Sequence, residues 1–195
     1  MANSRFPASG GYGSFEAGAS DDPGYLASMR PPATVLGQLR LLVSVLLTAP
    51  VLILAISPLI VRSGPDGPGG VVAGLLLLPV LVAAVAAVVL GPRAPRPLEP
   101  GRDAEEAARL AGGRFRQAIM FRYALTEGTI LVGLPLAMIG NTVWIFVFAF
   151  AVGYPLLVWL TLPTRNRIEA VRRRLESAGE PSHLWSELLR PLNGG

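Results

Sequence analysis

The sequence predicts an all-α, polytopic membrane protein with four transmembrane helices, the last two forming a tight antiparallel hairpin. Three observations carry that expectation. Of the 195 residues 51% are hydrophobic and only 15% are charged, a balance too apolar for an ordinary water-soluble domain. The apolar residues collect into four stretches of about 20, the length that crosses a bilayer core at about 1.5 Å per residue. Finally, arginine is distributed unevenly between the segments that join those stretches.

Taken in order, residues 1–35 are rich in Gly, Ser, Ala, Pro and Asp and carry no sustained apolar run, so they read as a disordered cytoplasmic tail. They lack the basic region followed by an apolar core that would mark a signal peptide. The transmembrane domain covers residues 36–163. Its first span, 41–61, is uncharged and framed by Arg40 and Arg62. The linker 63–70 (SGPDGPGG) is turn chemistry throughout, and the second span follows over 71–90. In the connector 91–117, Asp103 and Glu106 form a D-x-x-E capping pattern that opens a short helix, with Gly112 and Gly113 expected to close it. The third span runs over 118–139 and the fourth over 142–163. Gly140 and Asn141 alone separate them.

Residues 164–195 read as a basic amphipathic cytoplasmic tail. Ile168, Val171 and Leu175 form one stripe of a helix whose other faces carry Arg167, Arg172, Arg173 and Arg174. Such a helix lies on anionic lipid headgroups, meets a protein partner, or continues span four into solvent. Leu184, Trp185, Leu188 and Leu189 make a second apolar face with Ser182 as its expected cap, and Trp185 suits the membrane interface.

Threading four spans puts sixteen of the 17 basic residues on one side and leaves Arg62 on the other. By the positive-inside rule both termini and the long connector are cytoplasmic, in a bacterial inner membrane. All the basic residues are arginine, the bias of a GC-rich genome, and their clustering beside apolar segments fits membrane orientation better than nucleic-acid binding. With no cysteine, disulfides, thiolate chemistry and Cys-based zinc sites are excluded, and the single histidine, His183, has no second ligand nearby. No phosphate-binding glycine loop or nucleophile–base set is present, so neither an enzyme nor a cofactor is expected. Pro50, Pro58, Pro79, Pro135 and Pro155 lie inside the spans, where each frees a carbonyl four residues back and predicts a kink.

Glu127 is the one acidic residue within a span. A charge there costs roughly 2.5–3.5 kcal/mol on insertion scales, so it faces protein or water and often marks a function. If the turn centres between Gly140 and Asn141, Glu127 lies level with Tyr154 and Arg122 level with Trp159, where a guanidinium stacks on an indole near the headgroups. Tyr123 sits one turn before Glu127 on the same face, and Ala124 with Gly128 forms a small-xxx-small pair for close helix approach. Ser44, Thr48 and Ser57 are the candidate partners from span one. Glu127 is thus either a proton or cation site or a neutral hydrogen-bonding strut between helices.

The stretch Ala124-Leu125-Thr126-Glu127-Gly128, within 116–137, resembles the second helix of the rotary ATP synthase c subunit, whose A-L-x-E pattern holds a proton-carrying carboxylate. The likeness covers about 22 residues and implies that role for Glu127. Over roughly the last 80 residues, the A-L-x-E-G helix, short turn and exit at Pro163-Thr164-Arg165 are similar to uncharacterised bacterial four-helix membrane proteins. The expected function is a non-enzymatic accessory or interaction component of a membrane complex, in contact with lipid, other membrane proteins or further copies of itself. The alternative is a small proton- or ion-coupled transport subunit using Glu127.

Overall fold

The structure, a computed structural model, describes residues 22–30, 32–62, 64, 71–92, 95–98, 101, 103–179 and 181–192. Residues 1–21 of the expected tail and most of the linker 63–70 lie outside them. Among the described residues the chain is helical: α1 Val35–Leu46, α2 Thr48–Ile60, α3 Val71–Leu90, α4 Ala104–Ile139, α5 Val143–Thr161, α6 Arg165–Leu175 and α7 Leu184–Leu188. Three stretches are long and apolar enough to cross a membrane, namely Val35–Ile60, Ala104–Ile139 and Val143–Thr161. The first of these is α1 and α2 in series; α3 is a further apolar helix of 20 residues.

Proline explains why the first stretch is interrupted at Leu47. Pro50 sits in the first turn of α2, where a missing N–H is one of the unpaired donors of any helix start. Pro58 lies deeper in α2, and the carbonyl it frees, that of Leu54, accepts from Ser57 Oγ at 2.8 Å. Pro79, Pro135 and Pro155 are carried inside continuous helices.

Helix α4 corrects the expectation of a separate short helix ending at Gly112 and Gly113. Asp103 does cap it, accepting from Glu106 N at 2.7 Å, but the helix then runs unbroken for 36 residues. Gly112 serves packing instead of termination: a Cβ there would stand 2.8 Å from Glu187 Cγ of α7. The helix tolerates the roughly 1 kcal/mol cost of glycine because the neighbouring element comes that close.

Two apolar cores result. One joins the first turns of α1 to the N-terminal half of α4, to α6 and to α7 through Leu36, Leu39, Phe115, Ile119, Ile168, Leu175, Leu184 and Leu188. Backbone bonds close it, from Val35 N to Arg190 O, Leu192 N to Ala33 O and Leu98 N to Leu175 O. The 164–195 tail is therefore neither a solvated continuation of α5 nor a helix with its apolar stripe free: Ile168, Val171 and Leu175 are buried against the chain itself. Ser182 caps nothing and donates to Glu176 Oε1 at 2.8 Å, while α7 starts after His183 in a left-handed conformation.

The other core lies between α4 and α5, with Ile130, Ala137, Ile145, Phe146 and Leu157. Here glycine sets the spacing. A Cβ on Gly153 would stand 2.5 Å from Ile130 Cγ1, and one on Gly133 would overlap the Ala149 methyl group. The pair expected to do this, Ala124 and Gly128, does not: both are exposed, and a Cβ on Gly128 would meet nothing within 4 Å.

Candidate functional site

Each sequence-predicted residue has a definite place. Tyr123 and Glu127 are brought together one helical turn apart on α4, with Tyr123 Oη 2.8 Å from Glu127 Oε1. The same hydroxyl is 3.3 Å from the carbonyl oxygen of Leu46, at the end of α1. That carbonyl is the one Pro50 deprives of its helical donor. Tyr123 thus closes a gap that proline opened on the neighbouring helix, and Glu127 stands behind it.

Tyr154 does not join them. It stacks on Phe150 of its own helix, with ring centroids 4.8 Å apart and planes 13° from parallel. Equal depth on two antiparallel helices sets height without setting which way a side chain turns. The hydroxyls offered by the first span are also spent locally: Ser44 on Arg40 O, Thr48 on Val45 O and Ser57 on Leu54 O.

Arg122 and Trp159 are likewise not partners. Arg122 is buried and its Nε donates to Gly91 O at 2.7 Å, just past the end of α3. The guanidinium over the Trp159 ring, 5.2 Å from its centroid, belongs to Arg167, whose Nη1 also donates to Leu160 O near the end of α5. A cation at a helix C-terminus meets the negative end of the helix dipole, which is why both arginines settle on carbonyls. Burial lowers the Arg167 pKa below the usual arginine value. Trp185 lies inside the first core, 4% exposed, and its Nε1 donates to Glu169 Oε1 at 2.6 Å, so it is not an interfacial side chain.

Sequence reasoning missed the most enclosed charge among the described residues. Arg40, read as a flank of the first span, is 2% exposed and forms a double hydrogen bond to Asp22, Nη1 to Oδ1 and Nη2 to Oδ2, each 2.7 Å. Gly24 O and Ser28 Oγ accept from Nη1 as well, and the guanidinium lies 5.2 Å from the Tyr25 ring centroid. Residues 22–30, inside the tract whose composition predicts disorder, are thereby fastened to α1. The Arg40 hydrogen bonds hold the Asp22 carboxyl below the ordinary aspartate range. An Asp and an Arg eighteen residues apart, with no periodicity between them, leave no signal in the sequence.

Comparison with known proteins adds no assignment. No family model matches the chain, and no curated protein or solved structure is significantly similar to it.

Proposed function

We propose that this chain is a four-span inner-membrane protein that acts as a non-enzymatic accessory or interaction component, with Glu127 as a neutral strut. In this reading α1–α2, α3, α4 and α5 are the spans, α4 and α5 form the hairpin, and both termini are cytoplasmic. The 20 apolar residues of α3 support the fourth span. So does the bond from Gly64 N to Asn141 O at 3.1 Å, because it brings the two short connections together at one end of the bundle.

The observation that carries the strut reading is the geometry around Tyr123 Oη. A phenol has one proton to donate, and here two acceptors lie within reach, Glu127 Oε1 and Leu46 O. Both are served together when the carboxyl carries a proton: Glu127 donates to Tyr123, and Tyr123 donates to Leu46. The chain then ends on a backbone carbonyl, which accepts a hydrogen bond but does not relay a proton. Beside it, Ala124 and Gly128 leave a shallow uncovered face on which another helix can approach closely.

Affinity purification of the full chain in mild detergent tests the interaction reading, the expected result being a reproducible co-purifying membrane protein. A chain that emerges alone under several mild conditions contradicts it. Carbodiimide labelling of Glu127 at neutral pH tests the strut. A carboxyl that exchanges its proton with water labels readily, whereas one held in a hydrogen bond with Tyr123 resists.

A further inference from the structure

An open groove lies on the outer side of the bundle, between α1 and α4, with a volume of about 400 Å³. Its walls are ordered by depth. Gln38 and Arg116 are exposed at one level, while Leu41, Leu42 and Val45 continue the groove along α1 toward Leu46. Tyr123 reaching the Leu46 carbonyl fixes the relative height of the two helices, which run in the same direction. Seven residues back along each, about 10 Å at 1.5 Å per residue, Arg116 stands opposite Leu39. This is two residues before the apolar stretch of α4 begins, at the boundary where phosphates lie. No hydrogen bond or ion pair holds the Arg116 side chain among the described residues, in contrast with Arg40, Arg109, Arg172 and Arg190, each bound to a carboxylate.

We infer that this groove holds one anionic phospholipid, its phosphate on Arg116 and Gln38 and an acyl chain along Leu41, Leu42 and Val45. A free anion would need no apolar wall, and a zwitterionic lipid brings its own cation beside the phosphate, so its net charge does not offset the guanidinium. The two ends of the groove match the two ends of a charged lipid. The inference rests on the membrane placement proposed above and is independent of Glu127.

Native mass spectrometry of the full chain released from detergent micelles, with phosphatidylglycerol and phosphatidylcholine of identical chains supplied in equal amounts, tests it. The expected result is a preference of about fivefold for phosphatidylglycerol, the equivalent of about 1 kcal/mol per surface arginine. Arg116→Gln should bring the ratio to about one with the melting temperature unchanged, while Arg173→Gln on the exposed face of α6 should leave the preference intact. Leu42→Trp, which narrows the apolar half, should lower the occupancy of both lipids and keep their ratio. An Arg116→Gln protein with the full preference overturns the assignment. So does displacement of the lipid by glycerol phosphate at equal concentration, or a second copy of the chain taking the lipid's place. Release of the protein from cell membranes by alkaline carbonate would overturn the membrane placement itself, whatever the lipid ratio.

Discussion

The two cores accommodate an ionisable side chain in different ways. At the end of the bundle where α1, α4, α6 and α7 meet, Arg40 is matched by a full carboxylate, with a backbone carbonyl and a hydroxyl accepting from its Nη1 as well. Within the apolar stretch of α4, Glu127 meets no cation among the described residues and pairs with a hydroxyl itself aimed at a helix carbonyl. Arg122 and Arg167 fall between these extremes and settle on helix-end carbonyls. Opposite charges are brought together where the chain can reach round and supply them, whereas the spans use neutral donors and acceptors. Packing follows the same division. The first core is filled by large side chains such as Phe115 and Trp185, and the second by backbone approach at Gly133 and Gly153.

That contrast is easiest to break at the enclosed ion pair. Asp22→Ala leaves Arg40 buried without its counter-charge, a loss of about 3–5 kcal/mol for a pair of this kind. It should appear as protease cleavage within residues 22–30 and a lower melting temperature in detergent. The pH dependence has a definite sign. The folded Asp22 pKa is depressed, so its contribution is fully present above the unfolded value near 4 and is lost as pH falls through the lower folded value. Limited proteolysis along an acid titration should show residues 22–30 releasing below about pH 4, while the α4–α5 core holds.

In the first core, Leu188→Ala removes a fully buried side chain and should cost about 2–5 kcal/mol. Hydrogen exchange would then rise in α6, α7 and the first third of α4 and stay low between Ile130 and Leu157. In the second core the reverse change is damaging. Gly133→Val forces a side chain into Ala149 and should cost about 1–3 kcal/mol, read as a lower melting temperature with residues 22–30 still protected.

Sequence reasoning reached the features that depend on neighbours along the chain. The apolar run at 71–90 is α3 to the residue, and the Asp103 cap and the Tyr123–Glu127 turn lie where spacing put them. It failed where distant elements decide. Gly112 and Gly113 look like a helix end until α7 is seen against Gly112. Ile168, Val171 and Leu175 announce an amphipathic helix, but nothing in that stripe says that its partner is the start of α4. Mirror spacing across the turn says nothing about the rotation that turns Tyr154 onto Phe150, and the Asp22–Arg40 pair carries no local signature at all.

The central claim is that Glu127 works by holding helices together and not by exchanging a proton. The most direct measurement compares Glu127→Gln with Glu127→Ala in detergent melting and in complementation of a deletion strain. Glutamine keeps the size and the donor that Tyr123 needs. The account therefore predicts that Glu127→Gln stays within about 0.5 kcal/mol of the parent and complements fully, while Glu127→Ala loses stability by about 1–3 kcal/mol through an unpaired polar group. A Glu127→Gln protein that melts like the parent yet fails to complement would contradict it and make Glu127 a working carboxylate.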